Sequence, residues 1–481
     1  MTFFPFVGWF LALALLCLGN PAAADSLPAP VVRALKAVGI PATAVSLVVR
    51  DVDSIGTRAS FNAHQPMNPA SVIKLLTTYA ALDTLGPAYT WQTEAWLQGA
   101  LRDGTLEGDL YVRGGGDPKF TYEQFWRLLR QVRQRGVKDI RGDLVLDRSA
   151  FQLSDVDPGA FDDQPMRPYN AQPDALLLNF NAVTLRLMPD TATATVAVGI
   201  EPVLANLEIV NRLKLGQQAS CGEWRDGLRA DVFPHAAGVR LVLTGSYPAS
   251  CGDLPWNLSP IVSRRYVAGV FAALWTELGG TFSGAVRDAP VPTDARLAAV
   301  LPSPTLSEVV RDINKYSNNV MARQLYLTLG LSSGHRPARN EDGEVAMRAW
   351  LTARNLEMPE LILDNGSGLS RHTRISADHL AQLLQSAWTS AVMPELMASL
   401  PVTAMDGTMK KRLRQQGIAG QAHIKTVSLA GVLAVAGYVL DRSGHRATVV
   451  FLINHPNAGA ARPVQDALLE WIYQRIEREA P

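Results

Sequence analysis

At roughly 150 residues per domain, a chain of 481 residues has the length of about three domains and ample length for a full hydrophobic core. Its 45 Lys and Arg against 44 Asp and Glu leave a formal net charge of +1, without the basic excess that gives affinity for nucleic acid, which argues against DNA or RNA as a partner. Hydrophobic residues at 47%, charged residues at 19% and the lack of a long polar tract exclude wholesale disorder.

Residues 3–19 are a nearly unbroken apolar run, followed by Pro21 and by Ala22, Ala23 and Ala24, the small-residue site at which a secretory leader is cut. Residues 1–24 are expected to be a signal peptide cleaved after Ala24. The run starts without Lys or Arg, so a retained membrane anchor is the alternative, and Leu15 and Leu16 ahead of Cys17 do not suit a lipoprotein site. No later stretch is apolar for long enough to span a bilayer. The mature protein is therefore expected in the periplasm or cell envelope, soluble or peripherally associated with the membrane.

Residues 30–37 have the spacing of a short amphipathic helix, and 44–50 read as a strand with an apolar centre. Next comes Asn68-Pro69-Ala70-Ser71-Val72-Ile73-Lys74-Leu75-Leu76, continuing apolar through Tyr79 and Leu82. This segment is expected as a helix buried nearly all round, with Ser71 in its first turn and Lys74 at i+3 on the same face. Burial strips an ammonium of its hydration and lowers its pKa, and the neutral amine can then take the proton of a serine hydroxyl within reach. Ser71 and Lys74 are thus candidates for nucleophile and general base. No second S-x-x-K occurs in the chain; a snorkelling lysine beside a helix-start serine is the bland alternative.

From about residue 91 to 302 the chain shows short strands with turn signals, at 108–112 leading into Gly114-Gly115-Gly116, then at 142–146, 182–187, 191–198 and 239–245. One or two β-rich insertion domains are expected, the innermost at 175–260 and holding Cys221 and Cys251. With Cys17 removed in the leader, these two form an even pair in an oxidising compartment and are expected as a disulfide, two free thiols being the alternative. Neither sits in a C-x-x-C pair, and the eight histidines show no H-E-x-x-H or H-x-H spacing, so no metal and no cofactor are expected.

Helical period resumes at 266–278 and runs from 306 through 329, broken by the polar Ser317-Asn318-Asn319. Such a trio caps a helix as readily as it lines a site, and Ser60-Phe61-Asn62 matches the same S-x-N pattern. The chain's one Lys-Thr lies in His423-Ile424-Lys425-Thr426-Val427-Ser428, where a lysine and a hydroxyl at a strand end suit a carboxylate. Two Val/Leu/Ala-rich runs follow, 431–441 and 447–454, split by the hairpin punctuation Arg442-Ser443-Gly444-His445, and 461–479 returns to helical period. The two chain ends mirror one another. Their strands are expected in one antiparallel sheet with both terminal helices on one face and the middle of the chain inserted.

The order S-x-x-K, S-x-N, K-T-x resembles the signature of penicillin-binding proteins and serine β-lactamases. The long β-rich insertion between the first two motifs narrows the resemblance to the class C penicillin-binding proteins, the D-alanyl-D-alanine carboxypeptidase/endopeptidase family of the bacterial envelope. The runs Gly108-Asp109-Leu110-Tyr111-Val112-Arg113-Gly114-Gly115-Gly116-Asp117-Pro118, Asp364-Asn365-Gly366-Ser367-Gly368-Leu369-Ser370-Arg371 and Asp406-Gly407-Thr408-Met409 resemble the same family, and the likeness extends from about residue 30 to 475. It implies an α/β fold of the α+β sandwich kind: a transpeptidase/β-lactamase-like catalytic domain from residues 25–92 and 303–481, an insertion domain from 93–174 and 261–302, and a nested insertion domain from 175–260.

By the same resemblance, Ser71 attacks the carbonyl of the penultimate D-alanine, Lys74 takes its proton, Ser317 relays a proton to the leaving amine, and Asn319 holds the substrate amide and orients Lys74. Lys425 and Thr426 bind the terminal carboxylate, the N–H groups of Ser71 and Ser428 form the oxyanion hole, and Arg371 lines the cleft unless it serves a structural ion pair. Asp162, Asp163 and Tyr169 fall where the family's insertion forms a lip over the cleft. The implied partners are peptidoglycan stem peptides and β-lactam antibiotics. One residue departs from the pattern: the family has Gly after Lys-Thr, and here Val427 either points away or narrows the cleft. A wall-binding homologue impaired by Val427, and a serine β-lactamase or esterase, are the alternative functions; no glutamate can be located that would activate water for the latter.

Overall fold

A computed structural model describes residues 26–53, 56–235 and 238–474; the expected signal peptide lies outside them. Both chain ends contribute to one five-stranded antiparallel sheet, in the order Ala422–Leu429, Val432–Leu440, Arg446–Asn454, Val45–Asp51, Thr57–Phe61. The inner strands read as continuous apolar runs rather than as alternating ones because both faces of the sheet are covered. On one face Leu47, Val49, Val435, Val449 and Phe451 pack against Val31 and Leu35 of the helix Ala29–Ala37 and Val464, Leu468 and Ile472 of the helix Arg462–Gln474. On the other, Val48, Ala434, Ala436, Val450 and Leu452 meet the helices that carry the candidate residues.

The helix Lys74–Leu85 is central to that second layer. Every residue from Lys74 to Leu82 is buried, because sheet and neighbouring helices enclose it on all sides. The helical stretch from 306 to 329, broken at Ser317-Asn318-Asn319, is two helices, Leu306–Tyr316 and Asn319–Ser332. Ser317 separates them in the left-handed region (φ 57°), and the Asn318 side chain accepts from the Met321 N–H to start the second. The polar trio thus does cap a helix, and the left-handed turn at its head ends the one before.

The chain leaves this body along Gln92–Leu97 and returns along the antiparallel Arg296–Pro302, with Gln92 opposite Pro302. These two strands belong to a second five-stranded sheet, and the described residues between them also form a four-stranded sheet and two three-stranded sheets. The strands read at 108–112, 142–146, 182–187, 191–198 and 239–245 correspond to Leu110–Gly114, Leu144–Asp147, Val183–Asp190, Thr195–Glu201 and Gly238–Pro248. Cys221 and Cys251 are joined by a disulfide beside the last of these. The segment is not purely β: the helices Tyr122–Gln134 and Ser263–Glu277 pack within it through Phe125, Leu128, Phe271 and Trp275. Among the described residues no helix is long and apolar enough to cross a membrane.

Candidate active site

Ser71 lies just before the helix rather than in its first turn, in a 3-10 turn, Ala70–Ile73, continuous with Lys74–Leu85. Three residues per turn bring i and i+3 directly over one another, and Lys74 Nζ stands 2.8 Å from Ser71 Oγ. The turn is built under strain. Ala70 has φ 41°, outside the usual region for a residue with a Cβ. Asn68 holds it there: its Oδ1 accepts from Ala70 N–H at 2.8 Å and its Nδ2 donates to Ser370 O at 3.0 Å. The Asn68 backbone is paired in both directions with the Asn454 amide, at 2.8 and 3.0 Å, which ties the turn to the central sheet.

Lys74 is fully buried and makes two further bonds, to Asn319 Oδ1 at 2.6 Å and to Ser367 O at 2.5 Å. One helical turn on, Thr77 Oγ1 donates to Gly366 O at 2.7 Å, so the helix grips the 366–368 turn through two adjacent carbonyls. Gly368 is obligatory in that turn: its φ is 76°, and a Cβ there would lie 2.0 Å from Ala70 O. Burial first, and then the nearby Lys425 ammonium, push the Lys74 pKa well below that of a free lysine. Two of its three tetrahedral positions face carbonyl oxygens that only accept. The third faces the Ser71 hydroxyl, where a neutral amine presents its lone pair.

Lys425 is also fully buried, and burial lowers its pKa to about 7. Its Nζ donates to Ser317 Oγ at 2.8 Å and to Thr426 O at 2.9 Å. The polar groups of the first two motifs and the lysine of the third therefore form two neighbouring hydrogen-bonded groups, Ser71–Lys74–Asn319 and Ser317–Lys425, near enough for the Lys425 charge to act on Lys74. Ala422–Leu429 is the outer strand of its sheet. Ile424 N–H donates away from the sheet to Pro401 O at 2.7 Å, and Ala422 N–H to Thr403 Oγ1 at 3.2 Å. Backbone groups alternate along an antiparallel strand, so the N–H groups of Thr426 and Ser428 lie on that same outer edge.

Alternation also settles the direction of Val427, which shares a face with Lys425. Its side chain is half-buried against the apolar cluster to which Val72 and Ile73 belong. Arg371 is exposed, donates to Ala430 O at 3.1 Å, and stacks its guanidinium 4.5 Å from the Phe161 ring centroid; among the described residues it has no carboxylate partner. Asp162 is occupied inside its own loop, accepting from Tyr169 Oη and Asn170 Nδ2, both at 2.8 Å. Asp163 shapes that loop with φ 56°. Asn68, Asn454 and the carbonyl of Ser367 escaped sequence reasoning, since each acts through a fold contact. Thr408, in a run that resembled the family but received no role, sits 2.7 Å from Thr426 Oγ1.

The chain is 30% identical over 439 residues to a D-alanyl-D-alanine carboxypeptidase of Actinomadura sp. (strain R39), covering 86% of this chain and 78% of that protein. It is 26% identical over 422 residues to the D-alanyl-D-alanine carboxypeptidase DacB of Haemophilus influenzae, covering 86% of each. The crystal structure of penicillin binding protein 4 (dacB) from Haemophilus influenzae matches with a TM-score of 0.74 at 24% identity, over 92% of this chain and 99% of that one, and the same protein has been crystallised with a β-lactam. Residues 31–475 match the D-Ala-D-Ala carboxypeptidase 3 (S13) family. With that match spanning nearly all described residues, the chain belongs to the D-Ala-D-Ala carboxypeptidase 3 (S13) family of serine-type D-Ala-D-Ala carboxypeptidases.

Proposed function

We propose that this protein cleaves D-alanyl-D-alanine ends and D-amino-acid cross-links of peptidoglycan stem peptides in the cell envelope, through an acyl-enzyme on Ser71. The observation that carries the reading is the Lys74 amine, buried, depressed in pKa, and held by two carbonyl oxygens so that its remaining position meets Ser71 Oγ. Ser71 Oγ attacks the carbonyl carbon of the penultimate D-alanine as its proton passes to Lys74. The oxyanion forms against the N–H groups of Ser71 and Ser428, each such donor being worth roughly 2.7–4 kcal/mol. Collapse breaks the peptide bond, the leaving amine takes a proton relayed through Ser317, and water then hydrolyses the ester. Asn319 orients Lys74 and receives the substrate amide. Lys425, with Thr426 beside it, binds the carboxylate of the leaving residue, and Arg371 with Phe161 walls the cleft on the insertion side.

The same chemistry opens a β-lactam ring, and the β-lactam held by the Haemophilus relative supports acylation here. Intact mass and peptide mapping after incubation with benzylpenicillin test it. A stable one-to-one adduct on the peptide containing Ser71, lost in Ser71→Ala, is expected. Rapid penicillin turnover would instead favour a β-lactamase, and neither adduct nor turnover would favour a wall-binding protein.

A further inference from the structure

Beside the candidate carboxylate pocket lies a hydroxyl with no assigned role. Thr408 is exposed, and its Oγ1 receives the Thr426 hydroxyl proton at 2.7 Å. A hydroxyl that accepts one hydrogen bond keeps its own proton to give. Thr426, with its proton committed to Thr408, is left as an acceptor in this arrangement. The donor available to an incoming anion from this pair of hydroxyls is therefore that of Thr408.

Its position is enforced from the Ser317 side of the site. Lys315, two residues before Ser317, is buried and sends its ammonium to Leu400 O at 2.6 Å and to Asp406 Oδ2 at 2.6 Å. Asp406 Oδ1 accepts from Val402 N–H at 2.9 Å, closing the loop on itself. Burial raises the Asp406 pKa, but the Lys315 and Val402 bonds outweigh it and the carboxyl is held below its usual range, so the clamp is ionic at neutral pH. Gly407 follows with φ 52°, and a Cβ there would come 2.6 Å from Lys315 O. This close approach needs glycine. Met409, fully buried in the terminal-helix core, pins the far side of Thr408. An exposed threonine between two such anchors is placed with little freedom.

We infer that Thr408 is a substrate-binding residue, whose hydroxyl donates to the terminal carboxylate alongside the Lys425 ammonium, and that the Lys315–Asp406 pair is the clamp that positions it. This rests on the proposed function above and extends its specificity for a free carboxylate end.

The test compares acylation rates with benzylpenicillin and with benzylpenicillin methyl ester, which presents the same ring carbonyl with the carboxylate masked. The wild-type protein is expected to prefer the acid. Thr408→Val should shrink the acid-to-ester ratio at least fivefold, and Thr408→Ser should restore it. Asp406→Asn should shrink the ratio in the same direction. A Thr408→Val protein that loses both rates equally, or keeps the ratio, overturns the inference, because a purely structural residue would not distinguish acid from ester. Absence of any Ser71 adduct in the wild-type protein would overturn the proposed function as well, and is distinguished by the wild-type arm alone.

Discussion

Two lysines within one buried cluster cannot both carry a proton without cost, and here their tasks divide along that line. Lys74, lowered well below the usual lysine range by burial and then by its neighbour's charge, is the group suited to be the neutral base, while Lys425 at about 7 is poised to keep its charge for an anion. In the free protein the second-order rate of acylation by benzylpenicillin should rise with pH as Lys74 loses its proton. It should fall again above about pH 7 as Lys425 loses its own. Lys425→Gln should remove the alkaline fall and move the rising limb to higher pH, since a like charge no longer opposes protonation of Lys74. A stopped-flow pH profile of both proteins checks the pair. An alkaline limb that persists without Lys425 would assign it to another group.

At the scale of elements, the edge strand Ala422–Leu429 performs two jobs through its two-residue period. Lys425 and Val427 face the helices, and alternate N–H groups face the open edge. Val427, half-buried, packs against the apolar cluster on the Lys425 side of the strand. Val427→Gly is therefore expected to lower stability by about 1–3 kcal/mol, from lost apolar burial and added chain entropy. Penicillin acylation should stay within about threefold of the parent. Urea unfolding and adduct kinetics measure both, and a tenfold faster acylation would identify Val427 as an obstruction instead. The S-x-x-K and Lys-Thr elements were legible because each pairs a distinctive residue with a strong period, a buried helix or an apolar strand. Ser71's 3-10 turn was not, since its strained Ala70 is stabilised by Asn68, Ser370 and Asn454, far apart in the chain.

Across the whole molecule, a buried amide is one of the points that fasten the inserted segment to the catalytic helices. Gln324, on the helix that begins with Asn319, accepts from Asp174 N–H at 2.9 Å and donates to Asp174 O at 2.8 Å and Gly116 O at 3.3 Å. Asp174 in turn accepts from Arg148 and from Ser263 Oγ at 2.7 Å, within the inserted sheets. Gln324→Leu would leave a buried N–H and C=O of Asp174 unpaired, at about 1–3 kcal/mol each. A loss of about 2–4 kcal/mol in urea unfolding is expected, with earlier proteolysis in the 116–174 region. Unchanged stability and protease resistance would show that the amide is no fastener.

The apolar leader at 3–24 determined the compartment expected, and the three spaced motifs determined the residue types of the site and the family it resembles. Period determined most of the elements: the terminal strands, the first helix and the start of the last helix stand within one or two residues of where their patterns place them, because an apolar repeat must bury one face, while the expected end of the last helix at 479 lies outside the described residues. The helix Tyr122–Gln134 was passed over, as were the paired strands that carry the chain out at Gln92 and back at Pro302, whose pairing joins segments some 200 residues apart. Tertiary structure alone decided that Lys74 meets Asn319 and Ser367, that Lys425 meets Ser317, and that Thr408 meets Thr426. The Lys74 contacts span 245 and 293 residues and the Lys425–Ser317 contact 108, while Thr408 meets Thr426 across 18 residues of loop and strand. Local sequence encodes which groups are present and which face they occupy; only the folded sheet and its helices set the ångström distances on which proton transfer and anion binding depend.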